Sequence, residues 1–340
     1  MSHYADDSDP MLLERPEPPT PTAFAPERRS RREKAKAALR RLRERVRLKF
    51  PELTYASPDD PWVRRMTIRT VEHLAGRNYF VKPYERWIRD HIALGKPIIR
   101  PMLGLIDIDF DVEGHWPPKG LDHDAPLVIV ANHPYGVLDG IGALRLAEEL
   151  DRPFKVLIHK DLMKVPEIRD YCLPINFEPT REAQASNIKV RNEALKLLKG
   201  GTTIVVFPAG GVATAPAPWG LGEAVELPWK TFTARMILAA RAQVVPMYFE
   251  GQCSRSFHVV SQSGQTLRSA LLIHELRRRV GSTLKGRIGE IIPFEELKDA
   301  SGGDRKAVID YLFDKVHALS DRPVAKIKAD QDRLAPWLKA

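Results

Sequence analysis

The chain has 340 residues, 43% of them hydrophobic, which is enough to bury a large core in one domain with appendages or in two domains. Its 53 Lys and Arg residues exceed its 44 Asp and Glu residues, and the net charge of +9 predicts a polyanionic partner: nucleic acid, an anionic membrane surface or phosphorylated small molecules. Two cysteines exclude a disulfide framework. Because no secretory signal and no apolar run of ~20 residues is present, we expect a cytoplasmic protein whose membrane contact is peripheral.

The N-terminal part of the chain changes composition abruptly. Residues 1–26 are acidic and then rich in proline, which is typical of disorder. Residues 27–50 contain twelve Lys or Arg residues against three Glu, with a thin apolar stripe at helical spacing, and they predict a basic amphipathic helix. Such a helix can bind anionic lipid, pack on its own domain or bind nucleic acid, and the sequence leaves these alternatives open.

Residues 51–104 predict an N-terminal helical region rich in aromatic side chains. The ordinary explanation for its apolar residues is packing in the core, and for the first helix we expect this of Trp62, Val63, Met66, Ile68, Val71 and Leu74. The alternative is an acyl-chain or membrane-facing surface. At the other end of the chain, residues 323–340 are predicted to be a C-terminal tail.

Residues 105–322 alternate between apolar strands and helices, which predicts an α/β domain with a mixed, largely parallel sheet flanked by helices. The predicted strands are 106–112, 127–131, 154–158, 173–177, 202–207, 244–249 and 286–292. The predicted helices are 140–150, 162–171, 182–199, 230–242 and 304–319.

One stretch of this domain carries candidate chemistry. The apolar strand that ends at Ala131 runs into Asn132, His133, a tight turn and Asp139. A histidine at the end of a buried strand can face a cleft as a general base, and a nearby carboxylate can hold its ring in one tautomer. The ordinary alternative makes His133 a turn residue and Asp139 a helix cap. From these residues alone, both interpretations remain open.

A second stretch, Phe207 to Gly211, follows another strong strand. Its glycines would let a ligand approach the backbone, whose amides can hold an anion. Several enzyme classes are unsupported, because the chain has no G-x-S-x-G elbow, no Walker A sequence, no complete dinucleotide fingerprint and no cluster with metal-ligand spacing. We therefore expect neither a metal nor a bound cofactor.

Together these residues resemble the glycerolipid acyltransferase family, which includes the lysophosphatidate acyltransferases. The family motif N-H-x-x-x-x-D is similar to Asn132, His133 and Asp139, and F-P-E-G is similar to Phe207 through Gly210. Three further segments match the family order: Lys160 to Pro166, the arginine block ending at Arg181, and Val245-Pro246. The chain departs from the pattern in two ways, since five residues separate the histidine and aspartate and Ala209 replaces the glutamate. Both features resemble the hemolysin-like and ornithine-lipid branch, and Gly136 offers a turn that would absorb the extra residue.

The resemblance implies a glycerol-phosphate-acyltransferase-like fold and direct transfer of a fatty acyl group from acyl carrier protein or acyl-CoA, as a co-substrate, to a lipid hydroxyl. The acceptor would be lysophospholipid-like or an amino-acid lipid, and the enzyme would lie on the cytoplasmic face of the inner membrane. The catalytic pair would be His133 and Asp139. The expected substrate-binding residues are Asn132, Tyr135, Gly136, Arg181, Phe207, Pro208, Ala209, Gly210, Gly211 and Lys230. The main alternative is a non-catalytic basic protein that binds anionic lipid or nucleic acid.

Overall fold

A computed structural model describes residues 53–54, 56, 61–74, 76–178, 180–261 and 265–334. The predictions for residues 1–26 and 27–50 lie outside the described residues. No helix in the described part of the chain is both long enough and apolar enough to cross a membrane.

The N-terminal region is helical as far as the structure describes it. Helices α1, α2 and the short α3 span Trp62–Leu74, Val81–Trp87 and Met102–Leu105. A 3₁₀ turn at Arg77–Phe80 lies between α1 and α2, and a π turn at Ile88–Ile92 follows α2. Tyr84, Trp87 and Ile88 form a small buried cluster. The core-packing prediction holds for Ile68, which is 2% exposed. It is wrong for Trp62, Val63 and Met66. These three side chains are exposed, because the side of α1 that packs on the protein is the one that carries Ile68.

The rest of the chain is built on a mixed seven-stranded sheet in the order β1-β7-β6-β2-β5-β3-β4. The strands, numbered in chain order, are Ile108–Glu113, Leu127–Ala131, Phe154–His159, Cys172–Ile175, Thr203–Val206, Gln243–Phe249 and Ser282–Ile288. All neighbouring strands are parallel except β6 and β7. This confirms the prediction of a mixed, largely parallel sheet.

Helices cover both faces of the sheet. Helices α4 to α11 span Val137–Glu149, Arg181–Lys199, Phe232–Ala240, Arg255–Ser261, Gln265–Arg278, Phe294–Ser301, Arg305–His317 and Val324–Asp332. The central strand β2 is buried at every position and sends alternate side chains to two separate cores, one containing Ile129 with α4 and the other Val130 with α5, α6 and α10. This double burial explains why the strand is uniformly apolar.

Several predicted elements differ from the structure. The helix predicted over 162–171 is two 3₁₀ segments, Lys160–Lys164 and Pro166–Tyr171, because Val165 precedes a proline and is extended. The last strand begins four residues earlier than predicted, at Ser282, and Ile292 instead forms an isolated bridge with Val244. Helices α7, α8 and α9 were not predicted. Within the predicted tail, α11 is a helix whose Gln331 donates a hydrogen bond to the Glu226 carbonyl oxygen.

Candidate active site

The two stretches that carry candidate chemistry meet at one edge of the sheet. Strands β2 and β5 are parallel neighbours, so the loops that follow them emerge side by side at the carboxyl edge, where α/β proteins bind ligands. The rings of His133 and Phe207 stack with centroids 4.2 Å apart. The Ala213 N–H also donates a hydrogen bond to the His133 carbonyl oxygen over 2.8 Å. The structure therefore brings the two loops together at this edge.

His133 and Asp139 form a close pair. Nδ1 of His133 lies 3.1 Å from Oδ1 of Asp139, whose side chain is fully buried, while that of His133 is 18% exposed. Among the described residues, Nδ1 has no hydrogen-bond partner with good alignment, so the contact is an ion-pair distance without hydrogen-bond geometry. Such contacts are often poorly aligned in ligand-free enzymes and tighten when substrate binds. Nε2 is not among the buried unpaired atoms, so it is the ring nitrogen that remains accessible.

Asp139 is held rigidly at the start of α4. Its Oδ2 accepts hydrogen bonds from the backbone N–H groups of Tyr135 at 2.8 Å and Gly136 at 3.3 Å, and its Oδ1 accepts one from Gly140 at 2.8 Å. The same carboxylate therefore caps the helix and faces His133, so the two interpretations of this residue are compatible. Backbone donors and the positive end of the helix dipole both stabilise its negative charge.

Gly136 allows the longer spacing between His133 and Asp139. Its φ of 84° and ψ of −92° lie where side chains are rarely tolerated. A Cβ atom built on it would also come within 3.0 Å of Leu272 and Val212. The turn between His133 and Asp139 thus depends on Gly136, and because it lies outside the sheet it is not a strand bulge.

Asn132 and Tyr135 are committed to interactions within the protein. The Asn132 amide donates to the Phe249 carbonyl oxygen over 2.9 Å and accepts from the Phe249 N–H over 2.6 Å, which ties the end of β6 to β2. The Tyr135 hydroxyl accepts a hydrogen bond from Arg279, whose guanidinium lies 4.3 Å from the ring centroid. Burial raises the pKa of Tyr135 to about 12. These two residues shape the site and do not line it with free polar groups.

Glu226 is a site residue that the sequence analysis missed. Its side chain is 2% exposed, and Oε1 accepts a hydrogen bond from the His133 backbone N–H at 3.0 Å. Oε2 accepts one from Trp229 Nε1 at 3.0 Å and lies 3.1 Å from Nε2 of the buried His317. The available signal was a lone carboxylate within the apolar run Ala224-Val-Glu-Leu-Pro-Trp, which is typical of a buried, paired charge.

The backbone groups of the Phe207 to Gly211 turn differ in whether they are already hydrogen-bonded within the protein. Pro208 and Ala209 are buried, and the Gly210 N–H donates to the Phe207 carbonyl oxygen over 3.0 Å, so it is not available to an anion. Gly210 has a φ of 70°. Within the described part of the chain, the Gly211 N–H has no hydrogen-bond partner. Gly211, not Gly210, is therefore the candidate anion donor.

The two predicted cationic residues differ in their position. The Lys230 N–H donates to the Pro208 carbonyl oxygen over 3.0 Å, and its side chain is exposed beside the site. Arg181 begins α5 after β4, which is three strands from β2 in the sheet. At about 4.8 Å per strand this separation is roughly 14 Å. The described contacts bring the Lys230 backbone to the site, and none of them joins Arg181 to it.

Among the described residues, no group of three or more His, Cys, Asp or Glu side chains could hold a metal ion. The candidate site thus combines His133, the buried Asp139 beside it, and the Gly211 backbone amide and Lys230 on the neighbouring loop. This arrangement can remove a proton from a bound hydroxyl and stabilise negative charge that forms next to it.

Residues 105–322 match the family model described as acyltransferase. The lyso-glycine lipid O-acyltransferase of Phocaeicola vulgatus is 23% identical over 257 residues, which cover 71% of this chain and 84% of that protein. The crystal structure of the 1-acyl-sn-glycerophosphate (LPA) acyltransferase from Thermotoga maritima covers 86% of this chain and 99% of its own, with 14% identity and a TM-score of 0.42. Since the family model spans more than half of the chain, this protein belongs to the acyltransferase family.

Proposed function

We propose that this acyltransferase moves a fatty acyl group from a thioester donor, acyl carrier protein or acyl-CoA, to the free hydroxyl of a lyso-lipid, with His133 as the general base. The observation that carries the proposal is the short contact between Nδ1 of His133 and the buried Asp139, which leaves Nε2 accessible. A general base needs this arrangement, because one nitrogen must be oriented while the other accepts a proton.

The reaction takes place in one transfer, without an acyl-enzyme. Nε2 of His133 takes the proton of the acceptor hydroxyl as that oxygen attacks the thioester carbonyl carbon. The tetrahedral intermediate then collapses, the carbon–sulfur bond breaks, and the leaving sulfur takes the proton back from His133. Asp139 stabilises the imidazolium in between, and general-base catalysis of this kind contributes about 10²- to 10⁴-fold to the rate. The Gly211 N–H, which has no partner among the described residues, would donate to the developing oxyanion.

The relative and the charges at the site support a polar lyso-lipid as the acceptor. The relative from Phocaeicola vulgatus is named for a lyso-glycine lipid, so we assign this chain an acceptor of the same kind, a polar lyso-lipid with an amino-acid or phosphate headgroup. Lys230, which is fixed beside Pro208 by its backbone, supplies a cation for that headgroup, and Arg181 supplies a more distant one. The product is a diacylated polar lipid, so the enzyme works in lipid synthesis or remodelling.

A lipid acceptor requires contact with a membrane surface. Helix α1 exposes Trp62, Val63 and Met66, with exposed fractions of 68%, 65% and 45%. An exposed cluster with tryptophan is typical of surfaces that lie at the lipid headgroups. We assign the protein a peripheral place on the cytoplasmic face of the membrane, to which the basic residues 27–50 add electrostatic attraction.

The test is to incubate the purified protein with acyl carrier protein or acyl-CoA and a series of lyso-lipids, and to detect the diacyl product by mass spectrometry. His133→Ala should lower turnover by about 10²-fold or more and leave the melting temperature nearly unchanged. The matched control is His123→Ala, which removes an exposed histidine from the loop before β2 and should retain full activity. Unchanged turnover in His133→Ala would remove the histidine from the mechanism.

A further inference from the structure

An open groove lies on the protein surface between α5 and α6. The two helices pack side by side and, because each follows a parallel strand, both begin at the carboxyl edge of the sheet. The groove has a volume of about 350 Å³. Its apolar lining comes from Ile188 and Leu195 of α5 and Phe232 and Met236 of α6.

Three arginines surround this apolar lining: Arg191, Arg235 and Arg305. All three side chains are exposed, and none of them makes an ion pair with a carboxylate among the described residues. Among the described residues, no acidic side chain lines the groove. By contrast, Arg287 on the sheet contacts three carboxylates and Arg322 contacts two. The groove therefore carries positive charge that the described residues do not neutralise.

The groove opens next to the catalytic edge. Phe232 lies two residues after Lys230, whose N–H donates to the Pro208 carbonyl oxygen, and Pro208 follows the residue that stacks on His133. The Arg191 guanidinium lies 5.0 Å from the centroid of the Phe232 ring, which places one cation at this end of the groove. A flexible arm that starts from a partner seated in the groove would have a short path to His133.

We infer that this groove docks an acidic acyl carrier protein, which presents the acyl thioester to His133; the inference rests on the function proposed above and names the donor. Arginine and aromatic or methionine side chains around an apolar centre are enriched in protein interfaces, and an excess of one charge selects a partner of the opposite charge. A nucleotide donor requires a concave site that encloses most of the ligand. This groove is open, and its arginines are exposed.

The experiment reverses the charge at two of the three arginine positions. Arg235→Glu combined with Arg305→Glu changes the charge of the groove, and Arg305→Glu places a carboxylate in the first turn of α10, where the helix dipole favours it. The matched control is Lys189→Glu with Lys196→Glu, which makes the same change in net charge on the exposed side of α5 outside the groove. Both variants are assayed with acylated carrier protein and with acyl-CoA at varied concentrations. Binding of carrier protein without an acyl group is measured by calorimetry.

The groove variant should raise the KM for acylated carrier protein about tenfold or more, with kcat, the KM for the lyso-lipid and any turnover of acyl-CoA unchanged. Its affinity for the unacylated carrier should fall by a similar factor, while the control stays near wild type. An equal loss in both variants, or no loss, would overturn the inference. An equal rise in the KM for acyl-CoA would overturn it in favour of a small phosphorylated donor. If wild type binds the carrier but transfers no acyl group, the proposed function fails and the docking surface stands.

Discussion

Replacing Asp139 with asparagine keeps the size of the side chain and changes one oxygen into an NH₂ group. In the structure, Oδ2 accepts from two backbone N–H groups, whereas Oδ1 accepts from Gly140 and lies 3.1 Å from Nδ1 of His133. The remaining oxygen should keep the position with two donors, so the NH₂ group should face His133. It would then donate to Nδ1, and the histidine would carry its own proton on Nε2. With that nitrogen occupied, His133 cannot accept the proton of the acceptor hydroxyl.

The expected decreases in kcat and in the free energy of unfolding distinguish a loss of catalysis from a loss of the fold. Removing a general base lowers the rate by about 10²- to 10⁴-fold, so kcat for Asp139→Asn should fall within this range. The only backbone hydrogen bond lost among those described is that of Gly140, and leaving one buried donor unpaired costs about 1–3 kcal/mol. The variant should therefore fold, with a modestly lower free energy of unfolding.

The assay measures initial rates of diacyl-lipid formation by mass spectrometry and unfolding in urea on the same preparations. Asp124→Asn is the matched control, because Asp124 is exposed in the loop before β2, and it should match wild type in both measurements. The tautomer argument would be refuted by an Asp139→Asn variant that keeps its rate to within about threefold of wild type, well short of the loss expected for a general base.

Four further predictions follow from the structure and the sequence. Glu226→Gln should lower the free energy of unfolding in urea by about 1–3 kcal/mol, because either orientation of the amide turns its NH₂ group towards a buried donor. It should also lower kcat, and an unchanged kcat would show that Glu226 does not position His133. Burial raises the pKa of Tyr135 to about 12. Above the ordinary value of ~10 this tyrosine ionises in the unfolded chain but not in the folded one, so stability falls as the pH rises. Tyr135→Phe should therefore show a smaller decrease in melting temperature between pH 9 and 11. Burial also raises the pKa of the Cys172 thiol to about 12, so iodoacetamide should label this cysteine slowly in the folded protein and rapidly in urea; rapid labelling of the folded protein would contradict its burial. Deleting residues 1–50 should weaken co-sedimentation with anionic vesicles, with the largest difference at low salt, and spare turnover of a detergent-solubilised acceptor; equal sedimentation of both forms would show that this segment is not the anchor.

Much of the fold could be predicted from local patterns. Uniformly apolar runs such as 127–131 predicted buried parallel strands, and the turn at Gly136 was recognised from the single residue that permits it. The N-terminal helix shows where this argument fails. An apolar helical face is buried only when another element packs against it, and the local sequence does not show whether one does. Trp62 and Val63 have no such cover in the described structure, and periodicity alone does not distinguish a core face from an exposed one.

His133 and Asp139 could be paired from the sequence because they lie on one turn and share its geometry. The partners that complete the site could not be identified, since Glu226 lies 93 residues from His133 and Arg279 lies 144 residues from Tyr135. Their positions depend on the order of the strands, which places β5 and β6 on either side of β2 and brings the long β5–α6 loop and the end of α8 to the same edge. Strand order is decided by packing across the whole sheet, so the pairing of His133 with Asp139 could be predicted from local sequence and the surroundings of the pair only from the tertiary structure.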